Sequence, residues 1–133
     1  MINRYLQTRY VKYGRGPVDV DCYGLVRLAR HELFGRAMLP SYSEIDPDDK
    51  QALTAATLLV REEGCFLPCT AQLGAIATAW RARLCVHVGL VVHADGRLWV
   101  LETNEGKGPC LTSIWDFEPR YTQVIYYDDT TLS

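Results

Sequence analysis

No run of apolar residues in this 133-residue chain approaches the roughly 20 that a membrane-spanning helix needs, so the sequence predicts no such span. The opening stretch MINRYLQTRYVKYGRG also lacks the apolar core of a secretory leader. Any site of action outside the cytoplasm is therefore expected to be reached by another route. Basic blocks are missing too. Fourteen lysines and arginines stand against sixteen acids, a net charge of −2, which disfavours an electrostatic grip on nucleic acid or on an anionic membrane. Histidine is scarce: His31, His87 and His93 are the three, and any imidazole chemistry falls on one of them. The five cysteines cannot all pair. Cys65 and Cys69 lie four apart, but no second close Cys/His pair completes a tetrahedral metal set. Cys65, Cys69, Cys85 and Cys110 are accordingly read as small apolar fillers, with no metal and no required disulfide.

What is present describes one folded domain, spanning 1–133. Hydrophobic residues make up 48% and charged residues 23%, a balance that supports a core and argues against disorder. The organisation is helical first and strand-rich second. Ile2, Tyr5, Leu6 and Tyr10 recur at spacings near three and four, which predicts a short amphipathic helix over 2–11. A loop follows at Tyr13-Gly14-Arg15-Gly16-Pro17. Asp21 is placed to cap a helix over 22–34, and Gly35 to stop it. Cys22, Leu25, Val26, Ala29 and Leu33 share one face of this helix; Arg27, Arg30 and His31 form the polar face. Asp46-Pro47-Asp48-Asp49 then reads as the start of a helix running to 63, with Gly64 ending it. Beyond residue 70 the segments 75–80, 84–92, 97–103, 110–114 and 121–127 read as strands, with a hairpin at Asp95-Gly96. The expected class is α+β, N-terminal helices packed on a C-terminal antiparallel sheet.

Cys22 falls in the first turn of its helix, where the positive end of the dipole stabilises a thiolate. On position alone, a nucleophile and a buried structural cysteine are equally good readings. His31 lies on the outer helix face, and His93 adjoins the Asp95-Gly96 turn; both read as surface residues. His87 differs, because an imidazole inside an apolar strand needs a hydrogen-bond partner or a chemical task.

The stretch YVKYGRGPVDVDCYGLVRL, followed downstream by HVGLVVHADGRLWVLETNEGKG, resembles the NlpC family of cell-wall cysteine peptidases, most closely the branch encoded among phage tail-assembly genes. The resemblance runs from about Tyr10 to the C-terminus and rests on Asp-Cys-x-Gly-Leu-Val, His-Val-Gly and Gly106-Lys107-Gly108. It implies a papain-like fold and hydrolysis of an amide bond in the stem peptides of bacterial peptidoglycan. By likeness the bond joins D-glutamate to a diamino acid, and no cofactor is called for. Carried over residue by residue, Cys22 is the nucleophile and His87 the base. Tyr10 and the Cys22 N–H form the oxyanion site, and Asp21 holds a substrate amino group as well as capping the helix. The chain departs from the pattern in three places. Tyr23, at a substrate-contacting position, stands where serine is common, and Ala75 where an acid is common. Glu102 occupies the third catalytic position, often histidine, and Asn104 is the alternative by strand parity. The resemblance further implies synthesis in the bacterial cytoplasm, assembly with other phage tail proteins, and delivery by that assembly. A non-catalytic tail protein with the same fold, and an amidase or acyl transferase acting on another small substrate, are the competing readings.

Overall fold

The computed structural model describes residues 2–64 and 66–129; the expectation for Cys65 lies outside them. The chain begins with helix α1 (Ile2–Leu6) and continues into a two-residue strand, β1 (Arg9–Tyr10). The helix predicted over 2–11 is thus half as long as its spacing suggested. Thr8 turns its hydroxyl onto the Tyr5 carbonyl at 2.6 Å, ending the helix with a local side-chain bond. Beyond it β1 pairs in parallel with β2 (Asp19–Val20), Tyr10 opposite Val20. Tyr10 is therefore a strand residue carried to the start of the next helix.

That helix, α2 (Cys22–Phe34), begins and ends as its sequence predicts. Asp21 caps it by accepting from Gly24 N at 2.8 Å, and Gly35 closes it in the left-handed region at φ 65°. Gly24 is needed for another reason. A Cβ there would lie 2.0 Å from the Gly14 carbonyl oxygen, so the glycine loop can lie against the first turn of α2 only without a side chain. The polar face expected for α2 is too wide by one residue. Arg30 is fully buried, bonded to the Gly74 carbonyl at 2.9 Å and to Asp128 and Asp129 at 2.8 and 2.7 Å. Sequence periodicity could not foresee a guanidinium whose carboxylate partners lie almost a hundred residues away.

Helix α3 (Lys50–Glu63) starts later than expected. Asp49 is its cap, whereas Asp46 accepts from Asp48 N in a preceding turn, so Pro47 stands before the helix and not within its first turn. Strands β3 (Leu67–Cys69), β4 (Ile76–Arg81), β5 (Leu84–Ala94), β6 (Arg97–Asn104), β7 (Gly108–Ser113) and β8 (Gln123–Asp128) form one antiparallel sheet in the order β3-β8-β4-β5-β6-β7. Four strands run as the expected meander, but β8 returns between β3 and β4. Strand β3 escaped prediction because three residues containing a proline carry no readable period. Ile114, expected to end a strand, instead opens α4 (Ile114–Phe117), which a 3₁₀ turn (Glu118–Arg120) follows. Ser113 caps α4 through Asp116 N, which takes the chain off the sheet.

The sheet buries both faces. Val88, Leu90, Val92 and Leu101 pack with Leu25, Val26 and Ala29 of α2, while Ala77, Ala79, Val91 and Val100 pack with Phe117. Each large side chain removed from water contributes about 1.5–3 kcal/mol, so this packing fixes where α2 presents its first residue. Ala79 pairs with His87 but Trp80 pairs with Cys85, so Val86 bulges out immediately before the histidine. Lys50 of α3 donates to the Val86 carbonyl at 3.0 Å, and Thr54 accepts from Cys85 N at 2.8 Å. The bulge is thereby pinned, and it sets the direction of the His87 ring.

Candidate active site

Cys22 opens α2, and its own N–H belongs to the helix donors that have no intrahelical partner. Its thiol stands close enough to the ring of His87, a buried residue of β5, to favour the charged imidazole. The opposite side of that ring faces β6: His87 Nε2–H donates to Glu102 Oε1 at 2.8 Å. With Nε2 so occupied, Nδ1 is the nitrogen left for the thiol. Strand pairing explains the reach. Leu90 pairs with Leu101, so Glu102 stands diagonal to His87, across a glycine. A Cβ at Gly89 would lie 2.3 Å from Val100 Cγ1 and 3.6 Å from Glu102 Cβ; only glycine admits this crossing.

Asn104, the alternative third residue, does not bond the ring. Its Nδ2 lies 3.5 Å from Glu102 Oε1, so it supports the carboxylate. Thr112 of β7 donates to Glu102 Oε2, and Arg120 Nη2 bonds both carboxylate oxygens at 2.9 and 2.8 Å. Thr112 and Arg120 were missed by sequence reasoning. The β6–β7 pairing could have suggested Thr112, but nothing local marks Arg120, which arrives through α4.

Burial works against a charged imidazole, yet the interactions with Cys22 and Glu102, which accepts from the ring, outweigh it and raise His87 to about 9. For Glu102 burial would raise the carboxyl, but its bonds to His87 and Thr112 and the charges of His87 and Arg120 lower it to about 2. The consequence for stability has a definite sign. A raised histidine stabilises the fold fully below its usual 6.5, and that contribution is lost as pH rises through about 9. A depressed carboxylate contributes above its usual 4.5, and the contribution is lost as pH falls through about 2. The unfolding free energy measured in urea should therefore form a plateau between about pH 4.5 and 6.5 and decline on both sides. His87→Gln should flatten the alkaline decline. An unchanged slope between pH 7 and 9 in that variant would contradict the assignment.

Tyr10 is half-buried on β1. Burial raises its phenol, and Cys22 and Asp21 are among the groups close enough to act on it electrically, so it lies in the neighbourhood of Cys22. Asp21 is buried and engaged on every side: it accepts from Gly24 N at 2.8 Å, Arg15 Nη1 at 2.7 Å and Tyr13 N at 3.2 Å. A substrate ammonium would have to share or displace the Arg15 guanidinium, a residue the sequence marked only as part of a loop. Arg15 is held in turn by the Ser41 and Tyr42 carbonyls at 2.5 and 2.8 Å. Tyr23 packs on Tyr42, with ring centroids 6.0 Å apart, and donates to the Pro40 carbonyl at 2.6 Å. Arg15, Asp21, Tyr23, Tyr42, Ile45 and Leu53 line a narrow cavity reaching Cys22. Ala75 is fully buried among the alanines of β4.

The other residues singled out lie apart. His31 and His93 are exposed, and His31 Nδ1 bonds the Arg36 carbonyl at 2.7 Å. Cys69, Cys85 and Cys110 are free thiols on three different strands. Among the described residues, no three His, Cys, Asp or Glu side chains gather as a metal site, and no helix is long and apolar enough to cross a membrane. No protein-family model matches the chain, and a search of the curated proteins finds no match.

Proposed function

We propose that the protein is a papain-like cysteine hydrolase of NlpC type, cleaving an amide bond in peptidoglycan stem peptides as a component of a phage or prophage tail. One observation carries the chemical part of this reading. A thiol at a helix N-terminus stands beside a buried imidazole and acts on its charge, and that imidazole is hydrogen-bonded to a buried carboxylate. The stem-peptide substrate and the tail association rest on the resemblance in the motifs around Cys22 and His87.

The steps follow from the residues. His87 takes the thiol proton, giving a thiolate beside an imidazolium that Glu102 favours. The sulfur attacks the carbonyl carbon, and the developing oxyanion is met by the Cys22 N–H and the Tyr10 hydroxyl. The imidazolium gives its proton to the leaving nitrogen, the C–N bond breaks, and an acyl thioester remains on Cys22. Water, deprotonated by His87, then attacks the thioester; the released sulfur recovers the proton and a carboxylic acid leaves.

The test is incubation of the full chain with purified muropeptides, followed by mass spectrometry. Products whose masses sum to the substrate plus one water, cut at the D-glutamyl to diamino-acid bond, are the expected result. Absence of any cleavage together with an unlabelled Cys22 after iodoacetamide at neutral pH would end the hydrolase reading. The Arg15–Asp21 pair favours a second reading of the same chemistry. With the carboxylate matched by a guanidinium, a substrate lacking a free ammonium suits the site, as for an amidase or acyl transferase on another small substrate. Turnover of acyl thioesters in place of muropeptides distinguishes it. Tyr10→Phe is expected to lower kcat by about a hundredfold with either substrate, since it removes one oxyanion donor; an unchanged kcat would remove Tyr10 from the oxyanion site.

A further inference from the structure

Arg120 is a charged residue beside the reacting groups that the steps above do not use. Its Nη2 alone clasps both oxygens of Glu102. The guanidinium lies 5.0 Å from the ring centre of Phe117 and 5.4 Å from that of Tyr121. Those same rings stand 6.2 and 6.4 Å from the His87 ring. Phe117 is fully buried, so the short helix carrying it holds Arg120 and His87 in one aromatic frame. The side chain of Glu102 is wholly buried, and that of His87 is 5% exposed. With His87 as its sole partner, this carboxylate would be an isolated buried anion whenever the ring was neutral, a costly arrangement.

We propose that Arg120 is a positioning residue: with Glu102 it forms a net-neutral pair that holds the carboxylate against His87 and limits how tightly the ring keeps its proton. An unopposed carboxylate 2.8 Å from the ring would stabilise the imidazolium so strongly that the proton transfer to a leaving amine would be slowed. The guanidinium offsets that field while leaving the hydrogen bond intact. The other polar and charged groups near Cys22, His87, Glu102 and Arg120 are arranged element by element. Cys22 comes from α2, with the paired Asp21 next to it. Tyr10 comes from β1, Asn104 from β6, and Thr112 and Cys110 from β7. Tyr121 follows the 3₁₀ turn, with Arg81 of β4 stacked 5.2 Å over its ring. Arg120 is the cation bonded directly to Glu102.

The charge account gives opposite signs for two substitutions. Arg120→Met leaves Glu102 uncompensated, and His87 should hold its proton to higher pH. Glu102→Gln leaves the guanidinium uncompensated, and His87 should release its proton at lower pH. The double variant is again neutral. The measurement is the titration midpoint of the His87 ring by NMR in the full chain, which has three histidines. Arg120→Met is expected to raise the midpoint by about one pH unit, and Glu102→Gln to lower it by about as much or more. The double variant should return to within about half a unit of the wild type, and Arg120→Lys, which keeps the charge, should stay near it. Arg120→Gln replaces the methionine variant if that one does not fold. The proposal is overturned if both single variants move the midpoint in the same direction, or if loss of the Arg120 charge leaves it in place. The further consequence, an alkaline limb of hydrolysis that moves with the midpoint, rests on the hydrolase reading. The titration needs no substrate, so failed cleavage of muropeptides and a failed charge account are separate outcomes.

Discussion

Cys22→Ala is expected to lower kcat/KM for stem-peptide cleavage by at least about a thousandfold while leaving the fold in place. In the proposed mechanism the thiol supplies the bond-forming atom, and no neighbouring group on α2 can replace it. Helix donors, Tyr10 and the imidazole remain, and they can still bind and polarise a carbonyl, so a small residual rate is expected. The structural cost is slight. Cys22 is buried, and removing one sulfur leaves a void of about one heavy atom, worth on the order of 1 kcal/mol. Cys69→Ser, altering a thiol on the edge strand β3, is the control and should retain the rate. Steady-state kinetics on the same muropeptide decide the matter. A Cys22→Ala protein within tenfold of the wild type would place the nucleophile elsewhere and remove the basis of the mechanism.

Arg30→Met should produce the largest loss of stability, about 3 kcal/mol, read as a lowered urea midpoint at constant slope. Arg30 ties three parts of the chain together: α2 through its own backbone, the Gly74 turn through Nε, and the end of β8 through Asp128 and Asp129. Its guanidinium also covers the Phe66 ring at 5.0 Å. Removing it withdraws a fully buried cation from Asp128, whose other oxygen is bonded by Arg36 at 3.2 Å and Gln72 at 3.3 Å. Those two bonds keep the expected loss at the lower end of what breaking a buried pair costs, roughly 3–5 kcal/mol. Asp128→Leu added to Arg30→Met should recover part of the loss, because it removes the buried carboxylate deprived of Arg30 and leaves Arg36 and Asp129 facing one another at 4.0 Å. A shift below about 1 kcal/mol for Arg30→Met would mean that the pair is not a structural clamp.

The local signals in the chain were read where the physics is local. Asp21 and Gly35 bound α2 because a cap and a left-handed stop depend on neighbours within four residues. Asp95-Gly96 made its hairpin for the same reason, with both residues at positive φ. His87 was distinguished from His31 and His93 by its apolar strand, whereas Glu102 was set before Asn104 by the resemblance. The features that escaped are those decided by distant contacts. Tyr10 left its helix because β2 offered a pairing partner. Arg30 went inside because Asp128 and Asp129 were waiting there. The bulge at Val86 needed Lys50 to pin it, and Arg120 needed α4 to deliver it. None of these has a spacing that marks it along the chain.

The position of β8 between β3 and β4 has a temporal consequence. On the ribosome, α2 and the strands bearing His87 and Glu102 emerge before Gln123–Asp128. Until that last strand is released, β4 lacks one of its two neighbours and Arg30 lacks its carboxylates. Arg120 reaches Glu102 only a few residues earlier. A nascent chain is therefore expected to carry the thiol and the imidazole without the frame that joins them, and under the proposed mechanism labelling of Cys22 should rise as β8 joins the sheet. Pulse-labelling of that thiol would make it a clock for the final step of folding.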